Sequence, residues 1–209
     1  MLVMAWTSPI TDDFEGALRE VSSSVDELRG QDEPFWTALA ALTAGALETV
    51  LGRPDSALHH LRVMQELADR FDYAWLTASS RVLLGTLAVV RGRLDDAREL
   101  LDDALDLSLA IRSIRNVTLC LDAFAQLSFA EGDPEQAARL AGAAQGVRDR
   151  AGFSTWPTLR RGEAQLAAEV RQALGDDRFG HAFAAGARLS QHEAVAAIRG
   201  RPGERTHEL

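Results

Sequence analysis

The stretch GRPDSALHHL (residues 52–61) returns twice in recognisable form, as GRLDDARELL (92–101) and as GDPEQAARLA (132–141). The three stretches start at Gly52, Gly92 and Gly132, so the interval between neighbours is the same both times. Each has an acidic residue within three positions of the glycine and an alanine five positions after it. A period of about 40 residues is typical of a helical solenoid, in which each repeat is one supersecondary unit. The repeat therefore predicts an all-α fold.

The segments between these glycines have helical composition, since alanine, leucine, arginine and glutamate predominate in them and are strong helix formers. Pro54 and Pro134 follow their glycines by two positions and are well placed to start helices. The pattern predicts a pair of long helices in each repeat unit. The predicted helices span residues 12–29, 34–51, 54–71, 74–91, 94–111, 114–131, 134–151, 157–174, 176–186 and 190–199.

Small residues recur with the same period inside the predicted helices. They are Gly45, Gly85 and Ala125 in the first helix of each pair, and Ala57, Ala97 and Ala137 in the second. Glycine in mid-helix costs about 1 kcal/mol relative to alanine, so Gly45 and Gly85 need a packing reason. We expect the two helices of each pair to cross closely at these positions.

Composition narrows the function classes. The chain has 209 residues, a net charge of −9 and one cysteine. All its basic residues are arginine, so the lysine of a phosphate-binding loop, a Schiff base or a kinase cannot be present. No apolar run is long enough to span a membrane, and the first residues do not form a secretory signal. These features predict a cytoplasmic protein.

The residues that often carry chemistry do not form a catalytic or metal-binding pattern. His59 and His60 are adjacent, so on a helix they point about 100° apart and cannot chelate one metal together. Cys120 lies between leucines and is interpreted as an inert core thiol, and Ser190 with Glu193 as a helix-capping box. We therefore predict no catalytic residue, no metal site and no cofactor, and a protein that is not an enzyme.

A small residue seven positions before a glycine turn, with alanine five positions after the turn, resembles the tetratricopeptide repeat, whose usual period is about 34. The longer period resembles the helical domain in the C-terminal half of LuxR-type, MalT-like and cyclase-linked ATPase transcriptional regulators of actinobacteria. Residues 135–198 are similar to the end of that domain. The matching residues are Leu174, Gly175, Phe179, Ala182, Gly186, Leu189, Ser190, Glu193, Ala194 and Val195.

The resemblance implies a right-handed solenoid of antiparallel helix pairs, closed by C-terminal helices. It divides the chain into an N-terminal stub (1–11), a repeat domain (12–199) and a disordered tail (200–209). Within the repeat domain, it implies repeat units at 34–71, 74–111 and 114–151 and closing helices at 157–199. Full-length members of this family carry an ATPase module and often a helix-turn-helix. Neither is expected in these residues, so the chain is either a fragment of a regulator or a stand-alone repeat domain.

In such a solenoid the first helices line the concave face, where partners bind. By analogy with tetratricopeptide grooves, we expect solvent-facing binding positions there, with Val82 near the centre. The alternative is that these residues pack against a neighbouring helix. They are Leu39, Leu42, Thr49, Ser79, Val82, Thr86, Val89, Leu119, Asp122, Gln126 and Phe129.

The resulting hypothesis is a non-catalytic module that binds a protein, a peptide or a small effector in this groove. Two alternatives stay open: a small-molecule receptor with its pocket inside the superhelix, and a self-association module that forms a homodimer.

The charge leads to a first prediction, which concerns nucleic acid. We expect this chain alone not to bind duplex DNA at physiological salt, because its net charge is −9 and its arginines form no phosphate-tracking stripe. Fluorescence anisotropy with a labelled random duplex measures this. Micromolar binding that weakens steeply with salt would contradict the prediction.

Overall fold

The computed structural model describes residues 13–155 and 157–200, and within these ranges the chain is all-helical, without a strand. The helix ends lie within two positions of the predicted ones. The ten helices are α1 (Phe14–Gly30), α2 (Pro34–Val50), α3 (Pro54–Arg70), α4 (Ala74–Val90), α5 (Leu94–Ala110), α6 (Ile114–Ala130), α7 (Pro134–Ala151), α8 (Pro157–Leu174), α9 (Asp176–Ala187) and α10 (Gln191–Arg199).

Two sequence predictions fall outside the described residues: the stub at 1–11 and all but Gly200 of the tail. Among the helices that are described, none combines the length and the apolar character needed to cross a membrane.

The same type of turn follows each of the first seven helices. In each turn the central residue has a positive φ, between 53° and 84°. These residues are equally spaced, with two in each repeat of the sequence. These residues are Asp32, Gly52, Asp72, Gly92, Arg112, Gly132 and Gly152. The turn therefore recurs at half the interval seen in the sequence.

The same hydrogen bond closes each of these turns. The N–H after the positive-φ residue donates to the carbonyl five positions earlier, as from Arg53 to Glu48 and from Ser113 to Ser108, both at 2.9 Å. This pattern satisfies carbonyls that the helix end would otherwise leave free. Because the closure is the same each time, helices α1 to α6 all have 17 residues.

Each helix from α1 to α7 packs against the next, and the alternate helices α2, α4 and α6 also pack side by side. The small residues lie at these contacts, as predicted. A Cβ atom on Gly45 would lie 2.7 Å from the Leu61 side chain and 3.5 Å from the Ala57 carbonyl oxygen. The corresponding distances from Gly85 to Leu101 and Ala97 are 2.8 and 3.4 Å. The repeat in sequence is therefore a repeat of helix packing.

The closest helix contact joins α7 to α9. Cβ atoms on Gly142 and Gly146 would lie 2.1 Å from the carbonyl oxygens of Phe183 and Ala187, and one on Gly186 would lie 1.8 Å from that of Arg139. Here backbone meets backbone, and only glycine leaves enough space. This contact was not predicted from the sequence.

Helix α8 departs from the regular spacing. A helix starting two positions after Gly152 would continue the pattern, but α8 begins at Pro157. It packs against α2 and α6 as well as against its chain neighbours α7 and α9. Helix α8 therefore lies across the face formed by α2, α4 and α6.

The α7–α9 contact leads to a second prediction. Gly146→Ala should lower the free energy of unfolding by about 1–3 kcal/mol, because the added methyl group forces the two backbones apart. Gly180→Ala is the matched control on α9, where a Cβ would meet nothing within 4 Å. This control should gain up to about 1 kcal/mol from helix propensity. Urea denaturation measures both variants, and equal stability of the two would contradict the close contact.

Candidate functional site

A cavity of about 350 Å³ lies between helices α2, α4, α6 and α8. The first three helices supply its inner wall, which is mainly aliphatic, with residues such as Leu42, Val82 and Leu119. Helix α8 supplies the opposite wall through Leu159, Leu166 and several polar residues. A mostly apolar cavity of this volume, with few polar groups, has the character of a small-molecule site.

The structure brings together ten of the eleven residues predicted for the concave face. All ten line this cavity: Leu42, Thr49, Ser79, Val82, Thr86, Val89, Leu119, Asp122, Gln126 and Phe129. Leu39 does not line it. Its side chain is buried in a core cluster that also contains residues of α1 and α3. A binding role for the ten remains a prediction.

The expectation that these positions face solvent is wrong. None of the eleven is exposed, and Val82, expected near the centre of an open groove, is only 4% exposed. The reason is the position of α8 across the α2–α4–α6 face, which the helix pattern did not reveal. The predicted groove is therefore the inner wall of a covered cavity.

A buried charged group lies in the wall between α6, α7 and α8. Arg148 on α7 is 4% exposed, and its Nη1 contacts Asp122 Oδ2 at 2.5 Å and Glu163 Oε1 at 3.4 Å. Thr155 donates a hydrogen bond of 2.9 Å to the same oxygen of Glu163. We call Asp122, Arg148 and Glu163 the acid–arginine cluster. Both of its carboxylates also line the cavity.

The electrostatics of the cluster are unbalanced, because two carboxylates share one guanidinium. Burial raises the pKa of Asp122 to about 8, and the nearby Glu163 carboxylate adds to the rise while Arg148 opposes it. Like-charged carboxyls this close favour a bound proton on one of them. Near neutral pH the cluster therefore holds a proton that the unfolded chain would release.

Arg148 and Glu163 were not predicted from the sequence, although each interrupts a stripe of apolar residues on its helix. Arg148 lies one position after buried Val147 and four after buried Ala144 on α7. Glu163 lies four positions after Leu159 and three before Leu166, on the face of α8 that lines the cavity. A charged residue at a core-facing helical position was the available signal.

Other residues singled out from the sequence have structural roles. Cys120 is fully buried, and burial raises the pKa of its thiol to about 12, which confirms the interpretation as a core thiol. Ser190 and Glu193 form the predicted capping box at the start of α10. The rings of His59 and His60 on α3 meet edge to face at 5.7 Å, and neither residue lines the cavity.

Comparison with known proteins gives distant similarity to regulators. Relatives from Mycobacterium bovis and from Mycobacterium tuberculosis, both described as candidate HTH-type transcriptional regulators, are 27% identical to this chain over 186 aligned residues. The alignment covers 81% of this chain and 21% of each relative, so the chain spans about a fifth of their length. No protein-family model matches the chain. Most of this chain is therefore similar to one segment of these longer proteins.

The acid–arginine cluster leads to a third prediction, on pH dependence. The folded-state pKa of Asp122 lies above its ordinary value of 3.8, so the folded chain binds more protons than the unfolded chain between pH 4 and 8. The stability from this carboxyl is present at low pH and is lost as the pH rises towards 8, at up to about 1.4 kcal/mol per pH unit for one proton. Asp122→Asn cannot bind this proton.

The measurement is the free energy of unfolding in urea between pH 6 and 8. We expect it to fall less steeply with pH in Asp122→Asn than in the unsubstituted chain. Asp103→Asn, at an exposed carboxylate of α5, is the control and should keep the original slope. Equal slopes in all three proteins would contradict the assignment of the proton to Asp122.

Proposed function

We propose that this chain is a non-catalytic, effector-sensing module of a bacterial transcriptional regulator and binds a small molecule in the cavity under α8. The main support for the proposal is the cavity itself. Helices α2, α4 and α6 form one side of it, and α8 covers the other side. Its volume of about 350 Å³ lies within the range of small-molecule sites. The distant similarity to transcriptional regulators supports the regulatory context. A cytoplasmic location is part of this proposal.

The contact pattern also supports a tetratricopeptide-like arrangement. Consecutive helices pack as neighbours, and α2, α4 and α6 pack side by side, as in a right-handed solenoid of antiparallel helix pairs. In this proposal the first helices line the inner face, and α8 is the start of the closing segment.

A ligand in this cavity would couple the repeats to the C-terminal helices. It would touch three repeat units and α8 at once, so its affinity depends on where α8 lies. By linkage, a ligand that binds only the covered arrangement stabilises that arrangement. The contacts of Arg148 and Thr155 with Glu163 hold α8 at the cavity and give the coupling a physical basis.

The sequence left open whether the ligand is a small molecule or a protein or peptide in the groove. The geometry favours the small molecule. A helix or peptide lying along α2, α4 and α6 would have to displace α8, which already packs there. It would also have to break the contact between Arg148 and Glu163.

The fourth prediction tests for a usable cavity. N-phenyl-1-naphthylamine, an uncharged apolar probe, should bind with increased fluorescence and saturate at one probe per chain. Thr86 lies in the cavity wall and is half-buried. Thr86→Phe should fill the cavity and weaken binding at least tenfold, whereas Thr86→Ser, the control, should bind as the unsubstituted chain does.

The thermal midpoint of Thr86→Phe separates a filled cavity from a damaged fold. A folded Thr86→Phe protein with weakened binding supports the proposal. Equal probe binding by Thr86→Phe and Thr86→Ser, or no saturable binding by the unsubstituted chain, would contradict it.

A further inference from the structure

The charges around the cavity are not balanced. The side chains that line it include the carboxylates of Asp122, Glu163 and Glu169 and one guanidinium, that of Arg161. Arg161 and Glu169 are exposed, whereas Asp122 and Glu163 are half-buried and lie deeper in the wall. The inner part of the cavity therefore presents only negative charge among its lining groups.

Arg148 compensates only part of this charge. Its Nη1 reaches both Asp122 and Glu163, so a single positive charge faces two carboxylates. Arg148 does not itself line the cavity. One negative charge is left over, next to an apolar wall, and leaving a carboxylate unpaired in such a place is unfavourable. A proton can neutralise it, and so can a cation supplied from the cavity.

We infer that the effector is a small hydrophobic amine, whose ammonium group contacts the carboxylates of Asp122 and Glu163 while its apolar part fills the space between α4, α6 and α8. This inference rests on the function proposed above and names the chemical class of its ligand.

The arrangement has the two parts that such a ligand requires. Val82, Leu119 and Leu166 offer apolar surface from three different helices. Asp122 and Glu163 offer acceptor oxygens for an N⁺–H donor, and hydrogen bonds between ionised partners are stronger than neutral ones. Since Asp122 has a raised pKa, the bound ammonium replaces a proton and removes the cost of an ionised, partly compensated carboxylate.

The same charges select against other ligands of similar size. A carboxylate ligand would add a negative charge beside Asp122 and Glu163. An alcohol would fill the apolar space but could not take the place of the proton as the compensating positive charge. Ligand preference should therefore follow the sign of the charge on the head group, with the cation first.

The test compares three ligands with the same six-carbon chain. Hexylamine, hexanol and hexanoate compete with N-phenyl-1-naphthylamine for the unsubstituted protein at pH 8, where the amine is cationic. We expect hexylamine to bind at least about tenfold more tightly than hexanol, which corresponds to one charge-assisted hydrogen bond. Hexanoate should bind more weakly than hexanol.

Two variants locate the preference. In Asp122→Asn the ratio of the hexylamine and hexanol affinities should fall below about threefold, while hexanol competition reports whether the cavity is intact. Asp103→Asn, at the exposed carboxylate of α5, should keep the full ratio. If Asp122→Asn does not fold, the ranking of the three ligands on the unsubstituted protein still decides the matter.

The outcomes distinguish the two proposals. Probe binding without a preference for hexylamine would overturn the amine inference and leave the cavity function intact. A full preference retained in a folded Asp122→Asn protein would overturn the assignment to this carboxylate. No saturable probe binding would overturn both the proposed function and the inference that rests on it.

Discussion

A turn with one residue at positive φ sets the length of the repeat helices and their alignment with one another. Because it recurs at equal intervals and is closed by the same hydrogen bond each time, helices α1 to α6 have equal lengths. When helices of the same length are joined by the same turn, equivalent residues of successive repeats lie at the same level along their helices. Gly45 therefore meets Leu61 as Gly85 meets Leu101, and α2, α4 and α6 align into one continuous wall.

The cavity arises where this regularity stops. After Gly152 the next helix does not start two positions later, and α8 begins at Pro157 and packs across α2 and α6. The position that packs most tightly on α7 is taken by α9, through the glycines of the backbone contact. Few side chains of α8 are buried, Val170 being one, so α8 covers the wall without filling the space beneath it.

The sequence revealed the repeat because three of its turns use glycine. The sequence did not show that the turn recurs at half this interval, because Asp32, Asp72 and Arg112 occupy the intervening turns. Residues other than glycine adopt a positive φ less readily. The repeat and the helical spacing of apolar residues predict the positions of the helices and the residues of the inner wall. Ten of the eleven residues predicted for that wall line one cavity. The placement of α8 depends on contacts between distant segments, and no local pattern encodes those.

The acid–arginine cluster is the part of the structure that the usual preference for apolar residues in a core explains least. A buried ion pair contributes little to stability on balance, and an apolar side chain of the same volume at position 148 would avoid the cost of burying a guanidinium. The fold nevertheless places Arg148 where it meets Asp122 from α6 and Glu163 from α8, and it leaves Nε buried without a partner among the described residues. The cluster joins α8 to the helices of the repeat through charged groups, which, unlike apolar packing, can exchange a proton. In the proposed function, a ligand cation would act on this same contact, so the cluster would link the content of the cavity to the position of α8.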